Sequence, residues 1–347
     1  NLVRLLAELR VETQPSDMSF GVSCRRTGFE YSSRGLNGFF AQPRNVLRSA
    51  QLLREIVRFN REAPKLLSDE SNEVTLGNVI DHQGYSPLFT EHYLYPMACA
   101  VWSMSPDSIR SFPAVTLLRF FDNHGMLGIN THPKWKTIRG GCSSYIDPIT
   151  APFRERIHTG ASLRNIARNE SGVTLRFHDR PNAVFDQVVF ACHGNQVLPL
   201  LESPSDRERD VLNGFETSRN DVCLHTDSSW LPKRPQARAS WNYHLSADAA
   251  DGATLTYHMN RLQSLDAAED YCVTLNDKGA IDPSKVLRRM VYHHPLYTRD
   301  AIRAQSRWRE ISGANRTHYC GAYWFYGFHE DGLNSALRVA KALGVEC

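Results

Sequence analysis

The sequence predicts a mixed α/β protein of two parts, one holding a covered sheet and the other an antiparallel sheet with helices. Three observations carry this. The run VFDQVVFA at 184–191 ends in uninterrupted apolar residues, which suits a strand buried on both faces in a parallel sheet. Between 221 and 275 the segments VCLHTD, ASWNYHL, TLTYHMN and YCVTLN recur at fairly regular spacing, as in an antiparallel sheet. The last unit reads as a strand, THYCGAY, an aromatic loop, WFYGFHEDG, and a helix, LNSALRVAKALG. A chain of 347 residues can hold two domains or one interleaved pair.

The elements follow in order. Residues 2–10 (LVRLLAELR) form an amphipathic helix that stops at the turn around Pro15, Ser16 and Asp17. MSFGVSC and GFEYS read as a hairpin joined at Arg25, Arg26 and Thr27. From 45 to 67, Val46, Leu53, Ile56, Val57 and Phe59 recur at helical spacing, with Arg48, Arg54, Arg58 and Arg61 among them. That basic face is expected to be solvated on a core-packed helix, with weak peripheral contact to an anionic membrane as the alternative. Residues 74–80 and 86–102 suggest two more helices, and SPDSIRSF starts another after Pro106. Beyond Arg139, Gly140 and Gly141 come a short helix and a hairpin, SLRNIAR and VTLRFHD, turned by Asn169, Glu170, Ser171 and Gly172. The apolar strand stops at Ala191, a helix is expected over 196–201, and two more near 283–290 and 299–306.

Composition excludes several classes. With 40 basic against 37 acidic residues and a formal charge of +3, no basic stripe marks a nucleic-acid partner. Eight cysteines without a C-x-x-C pair read as free thiols of a reducing compartment, the cytoplasm, rather than as a disulfide frame or zinc site. No apolar run reaches the ~18 residues of a spanning helix, and no signal peptide is visible. Ser143 and Ser144 lack the G-x-S-x-G setting of a hydrolase. His124, His193, His244, His258, His293, His294 and His329 could each act as acid or base, although a structural histidine is the commoner case. His293, His294 and Pro295 read as a loop before a helix rather than a metal site. The chain opens at Asn1 without methionine, directly in a helical pattern, so a native start is not expected there.

The last unit holds the clearest chemistry. Its strand ends at Gly321, and its helix is expected to begin near Asp331 and Gly332. The first N–H groups of a helix lack internal partners and carry partial positive charge. Gly332 lets a ligand approach the backbone, so the place suits a negatively charged group such as a phosphate or a reduced flavin ring. Asp331 acting as a simple helix cap is the plainer alternative.

GAYWFYGFHEDGLNSALRVAKAL resembles the C-terminal flavin-binding motif of FAD-dependent amine oxidoreductases, in which a strand-end Gly meets the ribityl chain and a helix start meets the ring. RGGCSSYIDPIT resembles that family's internal Gly-Gly segment, IHTGASLRNIARNESGVTLRF its adenine-side hairpin, and VVFACHG the strand returning to the cofactor domain. YPMACAVWS and FPAVTLLRFFDNHG look like a bacterial-type branch related to phytoene desaturases and protoporphyrinogen oxidases. The resemblance covers nearly the whole chain. It implies a FAD/NAD(P)-binding Rossmann-like domain from 137–223 and 315–347, interleaved with an α+β substrate domain from 1–136 and 224–314 that contains the antiparallel sheet.

The resemblance assigns FAD binding to Gly140, Gly141, Leu163, Ala191, Gly321, Ala322, Asp331, Gly332 and Leu333. It leaves the catalytic residues unassigned. Trp241, Tyr243, Tyr257, His258, Tyr323, Trp324 and Tyr326 are expected to wall the pocket of a small-molecule substrate, either an amine or an apolar, lipid-like compound. Two features depart from the family. The opening strand, G-x-G-x-x-G and helix that bind the pyrophosphate do not precede Asn1, so the chain reads as a fragment. Ala322 stands where many relatives carry an acidic residue after the strand-end Gly, which removes a polar contact to the ribityl chain. The implied reaction is hydride transfer from a C–N or C–C bond to flavin N5; a flavin-dependent isomerase and a non-catalytic homologue are the alternatives.

Overall fold

A computed structural model describes residues 1–67, 74–102, 109–128, 134–246 and 253–345. Its strands run β1 (Thr13–Pro15), β2 (Phe20–Cys24), β3 (Phe29–Ser32), β4 (Lys136–Ile138), β5 (Leu163–Asn169), β6 (Gly172–Phe177) and β7 (Ala183–Phe185). They continue as β8 (Val188–Phe190), β9 (Glu216–His225), β10 (Trp241–Leu245), β11 (Ala253–His258), β12 (Cys272–Leu275), β13 (Val286–Leu296) and β14 (Thr317–Tyr319). The chain divides into two units that share it in alternation: 1–12, 142–217 and 295–347 form one, and 13–141 with 218–294 form the other. The two units alternate along the chain, with boundaries of their own. Residues 1–12 and 295–314 join the unit that holds the hairpin and the C-terminal helix, because the contacts of those segments lie there.

In the 13–141/218–294 unit the helix Val46–Leu66 is set by a buried stripe of Ser49, Leu52, Glu55, Phe59 and Ala63. Phe59 meets Phe89 at 5.4 Å, Tyr85 at 5.9 Å and Phe121 at 6.5 Å between ring centroids. Glu55 is tolerated in that stripe because Ser86 donates to it through both N–H (2.9 Å) and Oγ (2.6 Å). Val46 and Val57, expected to be apolar anchors, are 43% and 44% exposed. Two of the arginines are engaged by the protein itself, Arg48 over the Phe29 ring and Arg58 with Glu62. None of the described helices is long and apolar enough to cross a membrane. The 86–102 helix forms with a π-turn at Thr90–Leu94, and Ala114–Asn123 adds a helix the apolar pattern left unassigned. Of the segment expected to be helical after Pro106, residues 105–108 lie outside the described residues.

A seven-stranded sheet in the order β13-β9-β12-β11-β10-β2-β3 fills the rest of this unit. It is mixed rather than antiparallel, since β2 runs parallel to β10 with Val22 opposite Tyr243. The early hairpin is therefore part of the main sheet. Residues 283–290 do not form the expected helix but lead into edge strand β13. Val286 and Met290, half-buried four residues apart, satisfy both the helical and the strand period, which is why the pattern misleads. His293, His294 and Pro295 consequently lie in a strand, at a sheet edge where Pro is tolerated.

Buried Tyr31 on β3 donates its hydroxyl to the His92 carbonyl inside the π-turn at 2.6 Å. Tyr31→Phe is expected to lower stability by about 1–3 kcal/mol by leaving that carbonyl unsatisfied. A shift in the urea midpoint without a change in slope would register it; an unchanged midpoint would mean that water replaces the hydroxyl.

The other unit holds a three-stranded antiparallel sheet, β5-β6-β7, and a two-stranded parallel pair, β14-β8. The apolar run 184–191 is thus split between two sheets. Val184, Phe185 and Val189 are 69%, 50% and 42% exposed. Burial on both faces is thus not found, and among the described residues β8 has β14 as its single strand partner. Residues 196–201 form 3-10 turns, Gly194–Gln196 and Leu198–Leu200, in place of an α-helix. Pro199 removes an N–H that an α-helix would use. Phe215 packs edge-on against Tyr323 and Trp324, each at 4.7 Å, in a core shared with Trp308, Tyr319 and Val339.

Candidate functional site

Strand β14 leads to Gly321, whose φ of 145° only glycine adopts readily; a Cβ there would meet the Tyr323 ring at 2.4 Å. Ser335 Oγ accepts the Gly321 N–H at 2.8 Å and so ties the strand end to the C-terminal helix. Gln305 fixes the loop from the other side by donating to the carbonyls of Tyr323 (2.9 Å) and Phe325 (2.7 Å). The helix runs His329–Ala342 and therefore starts before the expected Asp331 and Gly332. Asp331 reaches back from the third helical position to accept the Phe328 N–H at 3.0 Å. The Gly332 N–H already bonds to the Phe328 carbonyl at 3.0 Å. The Gly332 N–H is thus already used, and Gly332 contributes space rather than a hydrogen bond.

That space is real. A Cβ built on Gly332 meets one neighbour, the Ala322 Cβ, at 3.9 Å. Beside it lies a cavity of about 370 Å³, wholly within this unit. Ala322, Gly327, Phe328, His329, Gly332 and Leu333 form one side. The facing side is the leucine face of the first helix, Leu2–Glu8, continued by Leu9: Leu2, Leu5, Leu6 and Leu9, with Tyr145 and Ile149 between. Glu330 accepts the Leu2 N–H at 2.6 Å, the first cause holding its carboxyl below the ordinary range. Tyr297, buried nearby, is pushed above its usual phenol range first by burial and then by the charge of Asp331. The cavity is therefore lined mainly by apolar residues, at the positively polarised start of a helix.

The expected cofactor residues divide accordingly. Ala322, Gly332 and Leu333 line the cavity, Gly321 precedes it, and Asp331 braces its helix. Leu163 opens β5 half-buried and Ala191 follows β8 exposed; neither lines the cavity. Gly140 and Gly141, with φ of 76° and 87°, belong to the other unit. The four leucines escaped the sequence reading. Their spacing says that the helix has an apolar face, but not what that face meets.

The expected pocket residues also fall in both units. Trp241 and Tyr257 sit directly opposite on β10 and β11, edge to face at 5.0 Å. The Trp241 Nε1 is buried without an acceptor. Tyr243 is buried, and its hydroxyl is raised by burial and then by Cys99. His258 holds Asp270 through Nε2 at 2.9 Å, while its buried Nδ1 has no partner. Burial lowers its pKa against the pull of Asp270. Tyr323 and Trp324, 5% and 1% exposed, are core residues of their unit, and half-buried Tyr326 stays in the loop. Among the described residues, no cluster of three or more His, Cys, Asp or Glu could hold a metal ion.

The family model for flavin-containing amine oxidoreductases matches residues 1–259. Among solved structures, putrescine oxidase bound to putrescine is 13% identical with a TM-score of 0.65, covering 99% of this chain and 85% of that one. Cyclohexylamine oxidase from Brevibacterium oxydans IH-35A gives the same identity, TM-score and coverage. A CLA-producing fatty acid isomerase from P. acnes is 11% identical with a TM-score of 0.62, over 99% and 84% of the two chains. No curated protein sequence matches. At these identities the likeness is one of fold.

Proposed function

The chain belongs to the flavin-containing amine oxidoreductase family and is thus a FAD-dependent oxidoreductase, and from this we propose that it oxidises a C–N or C–C bond of a small apolar substrate. The observation that carries the reading is the cavity at the start of the C-terminal helix, where Gly332 leaves open space beside the Ala322 methyl and Gly327 has no side chain. These residues, with Leu333, would hold the flavin ring. The chemistry supplied there would be that of a hydride acceptor, flavin N5, with oxygen or another acceptor taking up the two electrons afterwards. The protein's part is to place the ring and exclude water. Leu2, Leu5, Leu6 and Leu9 keep one wall dry, and the helix start stabilises added negative charge by ~0.3–1 kcal/mol, up to ~2 if partly buried. Within the other unit, Trp241, Tyr243, Tyr257 and His258 are the residues proposed for a substrate pocket; their aromatic surface suits an apolar compound. Free thiols at all seven described cysteines support a reducing compartment such as the cytoplasm.

The test is anaerobic mixing of the FAD-loaded protein with amines and with unsaturated fatty acids. Bleaching of the flavin at 1:1 stoichiometry, reversed by oxygen or another acceptor, is expected with one of these classes. Isomerised product formed over many turnovers without an acceptor would replace net oxidation by the isomerase reading, to which the apolar cavity wall lends some support. FAD held by the protein but reacting with neither class would overturn both.

A further inference from the structure

A line of buried side chains crosses the main sheet. His225 on β9, Thr274 on β12, Thr256 on β11, His244 on β10 and Ser23 on β2 stand on neighbouring strands and are at most 8% exposed. His225 Nε2 lies 2.7 Å from Thr274 Oγ1, which lies 2.8 Å from Thr256 Oγ1. Thr256 Oγ1 lies 3.2 Å from His244 Nε2, and His244 Nδ1 lies 2.7 Å from Ser23 Oγ. The Asp227 backbone N–H closes the line on His225 Nδ1 at 3.1 Å.

That last contact sets the direction of the rest. A backbone N–H can only donate, so His225 Nδ1 is an acceptor and the ring's proton sits on Nε2. Nε2–H donates to Thr274, whose hydroxyl passes on to Thr256, whose hydroxyl passes on to His244 Nε2. His244 then carries its proton on Nδ1 and donates to Ser23. In this arrangement each threonine hydroxyl accepts one hydrogen bond and donates one, and the Ser23 proton is the donor left over within the line.

We propose that these five side chains are a latch of single polarity across five strands, and that protonation of either histidine breaks it and loosens the sheet in acid. A proton added to His225 Nδ1 would face the Asp227 N–H. One added to His244 Nε2 would meet the Thr256 hydroxyl proton and turn it out of the line. Burial opposes both protonations. Around His225, Asp227 and Asp277 favour the charge and Arg289 opposes it; the balance is a lowered pKa. Around His244, burial and then Arg25 oppose it, the Trp230 carbonyl favours it, and the pKa falls to about 4. The Trp230 ring, edge-on at 5.9 Å, completes that side.

The sign follows. A histidine whose folded pKa lies below its unfolded value contributes stability that is full above about pH 6.5 and is lost as pH falls toward the folded value. His244 alone should make the unfolding constant rise about sevenfold between pH 6 and pH 5. His244→Gln keeps a donor and an acceptor but does not titrate, so its unfolding constant should lack that roughly sevenfold rise over the interval. Ring-nitrogen NMR of the wild-type chain at pH 7 should show the Nε2–H tautomer at His225 and the Nδ1–H tautomer at His244. The opposite tautomer at either ring, or equal pH dependence in wild type and H244Q, would overturn the proposal. If H244Q does not fold, the wild-type tautomers decide alone.

Discussion

Glu208→Ala is expected to destabilise the hairpin-bearing unit by about 3–5 kcal/mol, the range for removing one partner of a buried ion pair. Glu208 and Arg168 have side chains 1% and 5% exposed and meet through two hydrogen bonds, the longer at 2.9 Å. The carboxylate also accepts the Tyr319 hydroxyl at 2.6 Å and the Ser205 N–H at 2.7 Å. Arg168 further donates to Thr317 Oγ1 and to the Ser203 carbonyl, each at 3.0 Å. One group thus joins β5, the helix Asp206–Leu212 and β14. Removing it strands a guanidinium in the interior, whose desolvation is then uncompensated.

The same carboxyl gives a pH signature. Burial would raise it, but the hydrogen bonds of Arg168, Tyr319 and Ser205 prevail and hold it at about 2, against an ordinary 4.5. A depressed folded pKa means stability that is complete above pH 4.5 and lost as pH falls toward 2. Glu208→Gln should flatten stability over that window while leaving part of the geometry in place. Urea midpoints measured from pH 7 to pH 3 test both variants. A loss below about 1 kcal/mol for Glu208→Ala would place the pair with exposed ion pairs and show that water reaches it.

The sequence showed most where local chemistry acts alone. The hairpin β5–β6 was legible because Asn169 makes the turn itself, its Oδ1 accepting from the N–H groups of Ser171 (2.9 Å) and Gly172 (3.1 Å). The start of the C-terminal helix was misplaced for a related reason. An Asp before an apolar run reads as a cap, yet Asp331 caps from inside the helix by reaching back to Phe328. Tertiary choices were illegible. Nothing local says that β2 joins β10 in parallel, that β13 is a strand, or that the leucines of the first helix face the C-terminal one across a cavity. Of the cavity lining, the residues named from sequence for the cofactor are Ala322, Gly332 and Leu333, which lie in one continuous segment.

Gly332→Leu is expected to lower FAD affinity at least tenfold while leaving the fold intact or slightly more stable. The two effects separate because of where the missing side chain would stand. Gly332 is inside the helix, its N–H bonded to Phe328, so a leucine should gain up to about 1 kcal/mol of helix propensity. No protein atom would oppose its Cβ, since Ala322 lies at ordinary contact distance, 3.9 Å. The rest of the leucine would project into the cavity that Ala322, Phe328 and Leu333 share with the first helix. Gly332→Ala adds a single methyl and serves as the graded control, with a small stability gain and a lesser loss of flavin. Flavin fluorescence quenching titrations give affinity, and urea unfolding of the apo chains gives stability. A leucine variant that unfolds early would mean that the space is filled by the protein. One that binds FAD as tightly as wild type would mean that the flavin lies elsewhere, and the assignment of Ala322, Gly332 and Leu333 to the cofactor would fail.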